Sequence, residues 1–287
     1  MTILHTNYFG GGGVKCSLNA VWTTGDETLE TMLFDLFGQG FCPTSLVVPR
    51  NGVLTQMLGE YRVSLIMPCR NESAHLAGLI DEVPDFYDEI ILISNASTDD
   101  TYEVAKDLER RYPKLRVLKD DRTINGIGYG FAHMTGMTAA RGDLLVCSDC
   151  DGTYPIGDTP RIIEEMRRRG LEFASCTRYP AKDIPLKLQM GVRTLNLEIA
   201  LLYGLRIRDS LSGMWVFHRS VVPKLHLTEG DWNLSPQIKL NAHRYLGDRF
   251  GEVSIKQRAR HGDTKQRYFE TGMRHLLWIA RNRFVQD

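Results

Sequence analysis

No run of 18 or more apolar residues occurs in the sequence, so it offers no membrane-spanning helix. Its start, Met1 to Gly13, lacks a basic stretch followed by an apolar one, and no signal peptide is expected. Cysteines are sparse. The six, at 16, 42, 69, 147, 150 and 176, are too few to scaffold a chain of 287 residues, so reduced thiols in a cytosolic, cytoplasmic protein are expected. Cys147-Ser148-Asp149-Cys150 is a C-x-x-C, but no second pair accompanies it for zinc, and a redox role is not expected. Neither charge is in excess: 35 Lys+Arg face 35 Asp+Glu. That excludes a globally basic nucleic-acid binder and an acidic solvating tail.

Hydrophobic residues make up 43% and charged residues 24%, the balance of a soluble globular protein with a real core. Residues 1–60 differ from the rest. Lys15 and Arg50 stand against Asp26, Glu27, Glu30, Asp35 and Glu60, a net of −3. Helical spacing predicts a helix over Glu27 to Phe37. The run Gly10 to Gly13 reads as a turn rather than a phosphate loop, with no strand expected before it and no Lys-Ser/Thr after it. Residues 1–60 are therefore an N-terminal extension of unassigned role, and residues 61–287 the main domain.

From residue 62 strands alternate with helices. Val63 to Met67, ended by Pro68, Glu89 to Ile93, Leu115 to Leu118 and Leu144 to Cys147 read as buried strands. Ser73 to Glu82, Thr98 to Arg111 and Gly128 to Ala140 read as the helices between them. This order predicts an α/β fold, a mostly parallel sheet with helices on both faces. Ligands of such sheets bind beyond the carboxyl ends of the strands. Three polar loops follow strands: Pro68 to Glu72, Ser94 to Asp100 and Ser148 to Pro155. Any one of them could be an ordinary cap or turn; three in successive βα units point to a site. Asp149-x-Asp151, a D-x-D motif, carries the strongest chemistry. Two carboxylates at a strand end suit Mg2+ or Mn2+, which take oxygen ligands and share them with substrate phosphates.

VSLIMPCRNE, EIILISNASTDDT and ARGDLLVCSDCDGTYP, in that order and spacing, resemble family 2 inverting glycosyltransferases of GT-A fold, in particular the dolichol-phosphate and polyprenyl-phosphate sugar synthases. Gly128-Tyr129-Gly130, Asp209-x-x-Ser212-Gly213-Met214-Trp215, Glu252-Val253 and Arg260-His261-Gly262-Asp263-Thr264-Lys265 extend the resemblance, which covers about residues 62 to 270. It implies a Rossmann-like GT-A domain with a donor half, 61–155, and an acceptor half, 156–270. Pro68, Arg70 and Glu72 are implied to line the base and ribose pocket, and Asn95 to contact the nucleoside. Asp149 and Asp151 are implied to bind the metal and the donor diphosphate. Arg178, Ser212, Arg260 and Lys265 are implied on the acceptor side, where an anionic phosphate needs donors. The sequence departs from the family where Ser94-Asn95 replaces an acidic pair, where Arg70 replaces an aromatic, at Thr153 and at Pro236.

The expected reaction moves a sugar from a nucleoside diphosphate sugar to a polyprenyl or dolichyl phosphate. A hydroxyl acceptor, soluble or on a glycan, is the alternative. It would need a carboxylate base, for which Asp209 is the candidate. A nucleotidylyltransferase is disfavoured because the loop after the first strand lacks glycine. A non-catalytic nucleotide-binding protein is favoured by Ser94 and opposed by Asp149-x-Asp151. Residues 256–287 hold Lys256, Arg258, Arg260, Lys265, Arg267, Arg274, Arg281 and Arg283 against Asp263, Glu270 and Asp287, a net of +5. An amphipathic helix is expected at about 266–284, either packed on the sheet or lying peripherally on a membrane's cytoplasmic face. The sequence leaves the oligomeric state open.

Overall fold

A computed structural model describes residues 2–9, 15–22, 61–179, 186–258 and 268–285. The chain divides into two compact units, Met1–Pro49 and Arg50–Asp287. In the first, β1 (Thr2–Phe9) and β2 (Lys15–Trp22) pair antiparallel, Thr2 opposite Trp22 and Phe9 opposite Lys15. A strand therefore does precede the glycine run, contrary to the sequence reading. The run itself and the expected helix at Glu27 to Phe37 lie outside the described residues.

The second unit is built on a seven-stranded sheet in the order β5-β4-β3-β6-β8-β7-β9. The strands are β3 (Val63–Cys69), β4 (Glu89–Ser94), β5 (Leu115–Lys119), β6 (Leu144–Cys147), β7 (Phe173–Thr177), β8 (Trp215–His218) and β9 (Phe250–Ser254). All run parallel except β8, which is antiparallel to β6 and β7. The described helices are α1 (Leu76–Asp81), α2 (Thr101–Arg111), α3 (Tyr129–Ala139), α4 (Thr159–Arg169), α5 (Leu186–Tyr203), α6 (Leu234–Leu246) and α7 (Tyr268–Val285). This is the α/β architecture expected: a mostly parallel sheet with helices on both faces.

Alternation along the strands produces the layers. Leu65, Leu92 and Val146 face one core, shared with Leu76 and Ile80 of α1, Leu108 of α2 and Ile162 of α4. Ile66, Ile91 and Leu145 face the other, shared with Met137 of α3 and Ile238 of α6. The C-x-x-C motif straddles this division: Cys147 lies in the second layer and Cys150 in the first, both as free thiols. A third apolar cluster joins Leu195 and Ile199 of α5 to Leu240 of α6 and Ile279 of α7.

Pro68 does not end its strand. It pairs in register with Ile93, and β3 runs on to Cys69. Backbone groups alternate between the two neighbours of a strand. The Ile66 carbonyl faces β6 and accepts from Ser148, while the Cys69 carbonyl faces β4 and accepts from Asn95. The N–H that Pro68 lacks would thus face β6, which has already stopped at Cys147 opposite Ile66. No ladder bond is lost, so a proline is tolerated in a central strand.

Candidate functional site

The expected loops do meet at the carboxyl edge of the sheet. After β3 and β4, the Asn71 side chain binds Thr98 through both Nδ2 and Oδ1, at 3.1 and 2.8 Å, and Ser73 Oγ donates to Asp99 at 2.7 Å. The Glu72 amide donates to Thr101 Oγ1 at 2.8 Å. Arg70 Nη1 donates to the Gly126 carbonyl, tying the first loop to the segment after β5. Pro68, Arg70 and Glu72 are all half-buried. Asn95 is different. Its side chain is buried, and Nδ2 donates to the carbonyls of Asp120 at 2.6 Å and Arg122 at 3.3 Å. Its side-chain amide thus ties β4 to the segment after β5.

Sequence reasoning missed Asp120, at the end of β5. Arg122 and Thr135 bind its carboxylate, Arg122 Nη2 at 2.6 Å, and chiefly the Arg122 bonds hold its carboxyl down to about 2. A lone acidic residue after a strand that carried no recognised motif gave no signal.

The D-x-D turn follows β6. Gly152 adopts φ +73°, the left-handed region open to glycine, and the turn brings Thr153 back onto Asp151. Asp151 is buried and its Oδ1 accepts from the Thr153 amide at 3.0 Å and hydroxyl at 2.6 Å. The Arg258 amide donates to the Thr153 carbonyl at 2.8 Å, which lays the start of the basic C-terminal segment on this turn. Asp149 takes a hydrogen bond from Tyr129, at the start of α3. Burial first, and then the Asp149 carboxylate, raise the Tyr129 phenol well above its ordinary value, so it stays a donor. Among the described residues no group of three or more His, Cys, Asp and Glu gathers as a metal site. Two carboxylates and a hydroxyl are a hard-oxygen set. They fit Mg2+ or Mn2+ completed by phosphate oxygens, not a self-sufficient protein cage.

The segment 208–213 is pinned from several elements. Glu252 of β9 accepts from the amides of Arg208 and Asp209, and Asn196 of α5 binds the Arg208 carbonyl and the Ser210 amide. Lys239 of α6, fully buried, donates Nζ to the carbonyls of Ser210 and Ser212, each at 2.8 Å. The Gly213 amide donates to Tyr154 Oη at 2.7 Å. A Cβ on Gly213 would stand 2.5 Å from Tyr129 Oη and 3.0 Å from Asp149 Oδ1, so this segment is pressed against the D-x-D motif. Tyr129, Tyr154 and Lys239 were not among the expected site residues. The motifs contained the two tyrosines, but nothing in sequence separated them from turn and helix positions.

Asp209 is fully buried and held by Arg178, which follows β7. Arg178 Nε and Nη2 donate to its two oxygens at 2.7 and 2.9 Å, and the Arg178 amide adds a bond at 3.1 Å. Burial alone would raise the Asp209 carboxyl, but Arg178 outweighs it and holds the group below its ordinary value. The expected base is therefore committed to an ion pair. Ser212, expected on the acceptor side, is fully buried, and its carbonyl serves Lys239 and Trp215. Arg260 and Lys265 lie outside the described residues. A pocket lined by Arg62, Glu89, Lys114 and Arg141 lies at the opposite, amino-terminal end of the strands.

Residues 64–225 match the family described as Glycosyl transferase family 2, more than half of the chain. The chain is 25% identical over 231 residues to a low-salt glycan biosynthesis hexosyltransferase, Agl6, of Haloferax volcanii, covering 77% of this chain and 53% of that protein. It is 26% identical over 216 residues to a dolichyl-phosphate beta-glucosyltransferase of Trichomonas vaginalis, covering 68% of this chain and 65% of the other. It thus spans between half and two thirds of the length of these relatives. Its fold is similar to glucosyl-3-phosphoglycerate synthase from Mycobacterium tuberculosis, crystallised with Mn2+, UDP-glucose and phosphoglyceric acid. The TM-score is 0.60 at 19% identity, over 80% of this chain and 82% of the other. The chain belongs to glycosyl transferase family 2, and its sheet is the GT-A fold.

Proposed function

We propose that this family 2 glycosyltransferase is metal-dependent and inverting, and moves a sugar from a nucleoside diphosphate sugar to a polyprenyl or dolichyl phosphate. Arg70 and Glu72 line the nucleoside side. Asp149 and Asp151 would hold the divalent cation, which, when bound, neutralises the diphosphate leaving group. Tyr129 and Tyr154 fix the D-x-D motif against segment 208–213, so these groups need no rearrangement as charge develops. The acceptor oxygen attacks the anomeric carbon on the face opposite the leaving group.

One observation carries the acceptor class: the Arg178–Asp209 pair. A hydroxyl acceptor needs a base, and the candidate base is bound to a guanidinium. A phosphate acceptor is already ionised and needs a cation, which Arg178 supplies, with Arg258 held on the D-x-D turn through its amide. Dolichyl-phosphate transferases among the relatives support this reading. The test is transfer of labelled sugar from a panel of UDP- and GDP-sugars, with Mn2+, to a short-chain, water-soluble isoprenyl phosphate and to free sugars. Transfer to the phosphate is expected. Transfer to a sugar hydroxyl alone would overturn the acceptor class, and no transfer with any donor would overturn the enzymatic reading.

A further inference from the structure

The large apolar side chains left in solvent concentrate on two helices. On α5 these are Leu186, Met190, Leu197 and Leu201, the last 76% exposed. At 3.6 residues per turn they fall within an arc of about 60°. On α7 they are Phe269, Met273, Leu277 and Phe284, with Phe269 86% exposed, within an arc of about 80°. Each helix also has an opposite, buried face: Leu195 and Ile199 of α5, and His275 and Ile279 of α7. Leu195, Ile199 and Ile279 enter one cluster with Leu240 of α6.

The two helices are tied to each other. Tyr203 Oη donates to the Ile279 carbonyl at 2.8 Å, and Arg283 Nε donates to the Leu202 carbonyl at 3.1 Å. Neighbouring helices that turn their inner faces to one cluster turn their outer faces to the same side. The eight side chains therefore lie on the outer faces of one joined helix pair, and account for most of the large apolar side chains exposed among the described residues.

Its charge is one-sided. The two helices carry Lys187, Arg193, Arg274, Arg281 and Arg283 against Glu198 and Glu270, and Arg274 is paired with Glu270 at 2.7 Å. Arg193 and Arg281 are exposed, as is Arg206 just after α5. A second copy docked on this face by a two-fold axis would set one arginine-bearing face against another. Anionic headgroups complement them. Position relative to the site points the same way. The helix α5 follows β7 and Arg178, and α7 follows β9 and Arg258, whose amide rests on Thr153 of the D-x-D turn. In chain order both helices thus follow residues at the carboxyl edge of the sheet, where the acceptor is proposed to bind.

We infer that the outer faces of α5 and α7 together form a docking surface for an anionic lipid bilayer. The apolar side chains enter the headgroup boundary and the arginines bind phosphates around them. No described helix is long and apolar enough to cross a membrane, so this is a surface contact. It rests on the lipid-phosphate reading, since it brings the enzyme to the place where such an acceptor resides.

The test is co-sedimentation of the full chain with vesicles of phosphatidylcholine, with and without about one third phosphatidylserine. Wild type is expected to pellet with the anionic vesicles, and the Leu201→Glu/Leu277→Glu variant to bind about tenfold more weakly. Both positions are exposed, so the variant should melt like wild type. Equal binding by the two proteins would overturn the inference. So would a wild type that ignores vesicles and forms a dimer that the variant loses, because a second copy would then cover the face. Transfer to a water-soluble isoprenyl phosphate is read in parallel. If it proceeds while vesicle binding fails, the docking surface falls and the acceptor reading stands; if vesicle binding holds while transfer fails, the reverse.

Discussion

Asp209→Asn distinguishes a positioning carboxylate from a catalytic base. Asp209 is fully buried, and the Arg178 side chain is only 17% exposed. The carboxylate accepts from Arg178 Nε, Nη2 and amide and, at 3.3 Å, from the Leu211 amide. Asparagine puts a donor where one oxygen stood, so an N–H of the guanidinium meets another N–H, and the cation loses its counter-charge. Removing one partner of a buried pair costs about 3–5 kcal/mol, because the other is left uncompensated. In a domain of this size that lowers the melting temperature by roughly 6–20 °C.

The assay is urea and thermal unfolding of Asp209→Asn, Arg178→Met and the double variant Arg178→Met/Asp209→Leu. The double variant should lose much less than the sum of the singles, since an apolar pair can replace a buried ion pair at small cost. The pH dependence has a fixed sign. Asp209 is held below its ordinary value, so the unfolded chain takes up the proton first as pH falls. The pair's contribution is present above about pH 4 and is lost below it. A variant Asp209→Asn that melts like wild type yet loses about 1,000-fold or more in kcat would refute this reasoning and make Asp209 the base.

Gly213→Ala places a methyl 2.5 Å from Tyr129 Oη and 3.0 Å from Asp149 Oδ1. It should lower kcat/KM about 100-fold in steady-state transfer while the circular dichroism spectrum is kept. Burial, opposed in part by Asp209, lowers Lys239 to about 7, so between pH 7 and 10 the unfolded chain holds a proton that the folded chain has released. Stability of the wild type relative to Lys239→Met should therefore rise with pH above 7, by up to about 1.4 kcal/mol per unit, read from urea midpoints at pH 7 and 9. A neutral amine still has two protons for the Ser210 and Ser212 carbonyls. UDP with Mn2+ should raise the wild-type melting temperature, by the equivalent of about 2.7 kcal/mol at 100 times Kd. Asp151→Ala and added EDTA should each abolish the shift, and full sugar transfer by Asp151→Ala would end the metal assignment.

Four of the sheet's seven strands, β3 to β6, and the three loops beyond their carboxyl ends were legible, because a buried apolar run marks a strand and its end fixes where a loop emerges; β7, β9 and the antiparallel β8 were not read. Which partner each loop side chain meets was not. Asp209 and Arg178 are 31 residues apart, and nothing in either segment announces the other. Asn95 and Ser212 stand in recognisable motifs, yet both are buried: the Asn95 amide bonds the Asp120 and Arg122 carbonyls, and the Ser212 carbonyl accepts from Lys239 and Trp215. Lys239 in LSPQIKL looks like a solvated helix position and is instead fully buried, because two carbonyls of segment 208–213 turn toward it.

The C-terminal helix exposes the limit most clearly. Met273, Leu276, Leu277, Ile279 and Ala280, with Trp278, read in sequence as one apolar helical core, to be packed or to meet a membrane. The structure divides them: Ile279 is buried and Leu276 packs against the same cluster, while Met273 and Leu277 face outward. Periodicity reports that a helix has apolar positions, but a helix with two apolar faces scatters them and weakens the very signal that would mark it. Only the packing of α7 on α5 separates the face that completes the fold from the face left for a partner. For the same reason the exposed stripe on α5 could not be read before its buried stripe was known.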